Sequence, residues 1–242
     1  MHESKADIIA RLQKQIMPLQ GFKNMLHDAM PGIELGPMKN AFPHGLFPSG
    51  AIHEFFCAGP EEAAATSGFI AALLAALMQR SGVAIWIGSN RTIFPPALVS
   101  FGIAADKIIF IDLQNERDVL WAMEEALKCD GIAVVIGEMQ ELGFTASRRL
   151  QLAVEQSRVT GFIIRRNPHN LSTACVARWK ISPLQSVSAA DLPGVGFPCW
   201  NVELLKIRNG KPGNWHVAWA VDRFRYISAV SALMQPQQKK TG

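Results

Sequence analysis

Short apolar runs alternate with helical stretches from residue 51 to about residue 165, and that order constrains the fold more than any other feature of the chain. AIHEFF, GVAIWIG, KIIFIDL, GIAVVIG and GFIIR read as strands, each a brief run rich in β-branched and aromatic residues. Helices are predicted near 65–79, 116–128 and 146–156. Strands joined through helices run parallel, because the crossover brings the chain back to start in the same direction, and a parallel sheet needs cover on both faces. The stretch after Asn115 shows the helical signal best. Asn115 is placed to cap it, Asp118 follows three residues on, and Val119, Leu120, Met123, Ala126 and Leu127 make one apolar stripe.

Beyond residue 167 the texture turns to β. ACVARWKI, WNVELLKIRN and NWHVAWAV are separated by a polar stretch and by the turn formers Asn209-Gly210-Lys211-Pro212-Gly213. The expected fold class is α/β, a mainly parallel sheet flanked by helices and extended by antiparallel strands. Three regions are predicted: an N-terminal helical arm with a Gly/Pro-rich linker over 1–40, the core over 41–222, and a C-terminal helix with a polar tail over 223–242. In the arm, Ile8, Leu12 and Ile16 repeat at i, i+4 and i+8. Such a stripe has to dock somewhere, so it is a candidate interface for self-association or a partner.

With 242 residues, 49% of them hydrophobic, the chain can bury a full core. No apolar run reaches the roughly 18 residues of a membrane span, and the start lacks the basic-then-apolar order of a signal peptide, so a cytoplasmic protein with no membrane contact is expected. Cys57, Cys129, Cys175 and Cys199 include no CxxC pair and read as small core residues; the six histidines show no metal-ligand spacing, so no metal is expected. Trp86 and Trp121 are expected to pack, and Trp215, Val217 and Trp219 to share one face of a half-buried edge strand. His53 and Glu54 fall on opposite faces of their strand and form no catalytic dyad.

Residues 45–69 carry the informative motif. A strand leading into Ala58-Gly59-Pro60-Glu61 and then a helix is the layout of a phosphate-binding loop, in which backbone N–H groups cradle phosphates. GLFPSG, the strand and then Gly-Pro-Glu resemble the opening of the RecA recombinase core, where the loop continues Ser-Ser-Gly-Lys-Thr. Here the matching positions are Glu62, Ala63, Ala64, Ala65 and Thr66. The resemblance runs on to about Val221. It implies that RecA's catalytic glutamate falls at Asn90 and its Walker B aspartate at Gly137, with Glu138 one residue late and on the other side of the strand. It also sets Arg165 or Arg166 where RecA has a glutamine that senses the γ-phosphate.

The physical consequences of those replacements are direct. Ala65 offers no ammonium to the phosphates, Ala64 adds a Cβ where a glycine lets the backbone approach, and Asn90 is a poor general base. Glycine at 137 has no carboxylate for Mg²⁺. Gly59, Pro60, Glu61, Ala64, Ala65, Thr66, Asn90 and Gly137 therefore read as a degenerate nucleotide loop, with no catalytic residue and no cofactor. The helix is expected to open at about 64–67, leaving free N–H groups there.

LWAMEEAL, the stretch TASRRLQLAVEQSRVTGFIIR, and the pairing of RWKI with WNVELLKIRNG resemble ImuA proteins, RecA-like accessory factors of bacterial damage-induced mutagenesis. SRRLQLA is the most specific of these. The resemblance covers about 42–222 and implies a role in translesion synthesis beside an ImuB-like protein and a C-family error-prone polymerase, with RecA as a further partner. Two other readings stay open: a cell-division inhibitor similar to SulA, and an ATPase with a divergent site. Arg148, Arg149, Arg165, Arg166 and Arg178 are candidates for contact with DNA or a partner, with 167–172 as a DNA-facing loop; alternatively, Arg148 or Arg149 pairs with Glu155 or Glu141. Net charge of +4 permits nucleic-acid contact without requiring it.

Overall fold

The computed structural model describes residues 35–78, 82–89, 93–166, 172–187 and 196–228. All belong to one compact unit, Ile33–Gly242. Ile8, Leu12 and Ile16 of the predicted arm, Asn90, most of the expected DNA-facing loop and the tail from 229 lie outside the described residues.

A nine-stranded sheet organises the unit. Its strands are β1 Ile52–Cys57, β2 Val83–Gly88, β3 Ile108–Asp112, β4 Ile132–Met139, β5 Thr160–Arg166, β6 Ala177–Val187, β7 Phe197–Ile207, β8 Gly213–Trp219 and β9 Phe224–Tyr226. Their spatial order is β3-β2-β4-β5-β1-β6-β7-β8-β9. The first six in that order pair parallel, and β6 to β9 pair antiparallel, as the sequence pattern requires. Helix α1, Pro60–Leu77, covers one face, and helices α2, Glu116–Leu127, and α3, Phe144–Ser157, belong to the core of the other. No helix among the described residues is long and apolar enough to cross a membrane.

Each element follows from local chemistry. α1 is so rich in Ala and Leu that it buries residues around much of its circumference, including Ala65, Phe69, Ile70, Leu73, Leu74 and Leu77. α2 is amphipathic: Asn115 Oδ1 accepts the Asp118 N–H at 3.0 Å, and Val119, Met123, Ala126 and Leu127 are buried. Gly161 lets α2 and β1 close on β5, since a Cβ there would stand 2.4 Å from Ile52 Cδ1.

Several expectations are corrected. α1 starts at Pro60, not at about 65. The predicted linker is part of the core: Leu35, Met38, Ala41, Phe42 and Phe47 are buried, in and beside two 3-10 turns at Gly36–Ala41 and Pro43–Gly45. The predicted C-terminal helix gives way at its start to β9, because Val221 and Asp222 take positive φ, reversing the chain and laying Phe224 beside Trp219. β9 pairs with β8 over Val217–Trp219, so Val217 and Trp219 are buried on an inner stretch, while Trp215 lies beyond that pairing and is half-buried as expected. Trp121 is 65% exposed, since it lies across the helix from the stripe at 119, 123 and 126. Cys129 is exposed, whereas Cys57, Cys175 and Cys199 are buried.

Candidate functional site at the ends of the central strands

β1 reaches α1 through Ala58 and Gly59 alone. Gly59 is the extended N-cap, Pro60 is the first helical residue, and the Ala63 N–H already bonds the Gly59 carbonyl at 3.0 Å. Proline suits that position because its missing donor has no partner in the first turn anyway. Glu62 turns back and accepts the Ala58 N–H at 2.7 Å, and its other oxygen receives Lys180 Nζ at 3.4 Å and Ser182 Oγ at 3.3 Å. Two acidic residues, Glu61 and Glu62, thus answer the positive end of the helix dipole from within the chain.

This geometry overturns the expected helix opening at 64–67. Ala64 and Ala65 sit a full turn inside α1, and their N–H groups belong to the helical ladder. Ala65 and Thr66 are buried, and the Thr66 hydroxyl accepts a hydrogen bond from the Cys57 thiol at 3.3 Å. Burial pushes that thiol up to about 11, and burial likewise pushes Cys175 up to about 12, so both stay protonated and unreactive near neutral pH.

At the ends of β4 and β5 the assignment of faces is also corrected. Gly137 faces α2, where a Cβ would stand 2.6 Å from Met123 Sδ; it is a packing residue. Glu138 is the carboxylate on the α1 side, 2% exposed, accepting Trp86 Nε1–H at 2.7 Å and pairing with Arg166 Nη2 at 2.5 Å. Gly88 gives it room, because a Cβ there would come within 3.3 Å of Glu138 Cβ. The pairing of β2 with β4 shifts register between Val83 and Ala84, an irregularity that an ungapped count along the sequence does not register.

The opposite face of the same strands holds a second charged cluster. Glu54 is fully buried and bonds Arg165 Nη1 at 3.3 Å, Arg178 Nε at 2.9 Å and Thr173 Oγ1 at 2.5 Å. Arg165, also fully buried, reaches the Gln140 carbonyl and Glu141 at 3.4 Å each. Phe56 supports both guanidinium groups, whose carbons lie 5.6 Å (Arg165) and 5.0 Å (Arg178) from the ring centroid. The cluster ties β1, β5 and β6 together on either side of 167–171.

The sequence-predicted arginines therefore separate. Arg165 is turned inward and closed to outside contact, Arg178 is largely so, and Arg166 serves Glu138. Arg148 pairs with Glu155 at 3.8 Å, one of the two carboxylates expected for it or its neighbour, while Arg149 bridges to Glu124 on α2. Sequence reasoning did not find Glu54 or Glu138 as hubs. A signal was available: a carboxylate inside an apolar strand such as IHEFFC has to find buried partners.

No family model matches the chain. It is 34% identical over 187 residues to the protein named Protein ImuA from two strains of Caulobacter vibrioides, a match covering 72% of this chain and 77% of each relative. A shorter match, 30% identical over 81 residues, covers 34% of this chain and 46% of a cell division inhibitor SulA from Photorhabdus laumondii. Among solved structures, that of the RadB recombinase superposes with a TM-score of 0.52 at 11% identity, over 76% of this chain and 94% of that one. The last likeness shows a recombinase-type fold and nothing finer; the first, by its identity and its coverage of both proteins, shows that the chain belongs to the ImuA family.

Proposed function

We propose that the chain is a non-catalytic RecA-like accessory protein of DNA-damage-induced mutagenesis and translesion synthesis. It acts through protein partners: an ImuB-like protein, a C-family error-prone polymerase and RecA. Family membership supports the pathway. The observation that carries the non-catalytic half is the two-residue joint between β1 and α1. A phosphate cradle needs several free N–H groups on a loop around the anion, and here Pro60 has none, Ala63 and later donors are spent in the helix, and Glu62 repels an anion at its mouth. At the neighbouring strand ends Glu138 is already neutralised by Arg166. Partner binding falls to other surfaces, with the Ile8, Leu12 and Ile16 stripe as one candidate.

The test is thermal unfolding of the full chain with and without millimolar ATP and Mg²⁺. The melting temperature should not move, because a ligand that does not bind the native state cannot stabilise it. A rise that grows with ATP concentration would overturn the reading. Capture of partners by the tagged chain after DNA damage tests the pathway half: polymerase subunits support it, and a division protein in their place would favour the SulA-like alternative.

A further inference from the structure

β9 is shorter than the strand it pairs with. It covers Val217–Trp219 of β8, and the first half of β8, Gly213–His216, has no strand on that edge among the described residues. The Ala220 N–H bonds the Arg223 carbonyl at 3.1 Å, and in an antiparallel ladder every second residue turns the same way. His216 and Asn214 therefore direct their N–H and C=O groups outwards at the open edge. An open groove of about 700 Å³ lies there, between Asn214–His216 and Tyr226–Ser228. Its two sides differ. Trp215, half-buried, and Tyr226, 51% exposed, take the α1 face with Val217, while Asn214, His216 and Arg225 take the other. On that second face, two buried side-chain atoms lack a hydrogen bond. They are Asn201 Oδ1, on the register partner of His216, and Arg225 Nε. Among the described residues Arg225 also has no ion-pair partner.

We propose that this open edge of β8 docks an extended, acidic segment of a protein partner by strand addition, with Arg225 reading the carboxylate. A row of outward N–H and C=O groups is a template for one more strand, and a partner's backbone supplies the matching groups. Side chains on such a strand alternate, so a residue paired beside His216 takes the face of Arg225, and its neighbours take the face of Trp215 and Tyr226. Two positions along the line of β9 span roughly 6.6 Å, within reach of a guanidinium. The carboxylate then meets a donor that the fold leaves buried and unanswered, and the flanking apolar residues meet two aromatic rings. The chain's own continuation does not fit this charge: residues 229–242 carry Lys239 and Lys240 and no Asp or Glu. A nucleic acid does not fit the edge, since its backbone has no N–H donors to pair with a strand. The inference rests on the reading that the chain works through protein partners, and says where one of them binds.

The experiment is a fluorescence-anisotropy titration of the full chain with a labelled peptide, Ser-Thr-Val-Asp-Val-Thr-Ser. The same peptide with Asn for Asp should bind about tenfold or more weakly, as expected for the loss of a hydrogen bond between charged groups. Arg225→Gln should bind the two peptides alike. A peptide N-methylated on the residues that face β8 cannot donate to the edge and should lose binding, which tests strand addition even if the Arg225 variant fails to fold. The proposal is overturned if the parent chain binds neither peptide or both equally, or if N-methylation leaves the affinity unchanged. It is also overturned if an unlabelled single-stranded oligonucleotide displaces the peptide as well as unlabelled peptide does, or if the chain is a dimer that Arg225→Gln dissociates, since a second copy would then fill the groove. The titration is independent of partner capture after DNA damage, so either can fail alone.

Discussion

His53 and Glu54 are neighbours on β1, both fully buried, and the two faces of the strand satisfy them by opposite means. His53 lies among aromatic rings: Phe47 stacks on it at 4.6 Å, its Nε2–H donates to the Pro48 carbonyl at 2.8 Å, and Trp179 Nε1–H donates to Nδ1 at 3.4 Å. An indole N–H can only donate, so Nδ1 accepts and the ring is neutral, one proton on Nε2. Glu54 is met instead by two guanidinium groups and a hydroxyl. One side excludes charge, and the other imports it. A buried polar group is tolerated when every lone pair and proton is answered, and whether the answer is neutral or ionic is decided by which face the side chain takes.

Removing the carboxylate gives the largest expected effect. Glu54→Gln leaves Arg165 and Arg178 buried without their main counter-charge, and breaking a buried pair on one side costs about 3–5 kcal/mol. The melting temperature followed by circular dichroism should fall by about 6–20 °C. A drop of only a degree or two would mean that water reaches the cluster and that the contrast between the faces is weaker than drawn.

Acid probes the neutral face. Burial holds His53 at about 4, below its ordinary 6.5, so between those values the unfolded chain binds a proton that the folded chain refuses. Its contribution is fully present above 6.5 and is lost as pH falls towards 4, on the order of 3 kcal/mol in all. Urea unfolding at pH 7 and pH 4.5 should show the parent losing more stability than His53→Gln. Equal losses in the two proteins would show that the aromatic cage admits the proton.

The smallest effect sharpens the contrast by repeating the ionic chemistry at the surface. Arg149 and Glu124 are also an arginine–glutamate pair, but the Arg149 side chain is 58% exposed. Arg149→Ala should cost at most about 1 kcal/mol, and the difference should shrink in 1 M salt. A loss as large as that of Glu54→Gln would show that the link between α2 and α3 matters more than its exposure suggests.

These contrasts also mark how far the sequence could be read. Alternating strands and helices were legible because parallel strands are written as continuous apolar runs, and α2 because its cap and stripe are local. The cluster around Glu54 was not, since Arg165 and Arg178 lie 111 and 124 residues away in sequence and nothing local pairs them. The face taken by Glu138 shows only in its long-range contacts with Trp86 and Arg166, and β9 depends on a reversal at Val221 and Asp222, where a β-branched valine gives no sign of positive φ. Pro60 followed by two glutamates was a readable helix start, yet the RecA resemblance drew the boundary five residues too late.

The joint of two residues between β1 and α1 has one more consequence. In a nucleotide-driven machine the loop between strand and helix holds the phosphates whose cleavage times the cycle. Ala58 and Gly59, bonded to Glu62 and to the Ala63 N–H, are too short a segment to wrap such an anion. On the accessory reading such a protein carries no clock of its own. How long it acts is set from outside, by how much of it is made and how quickly it is removed.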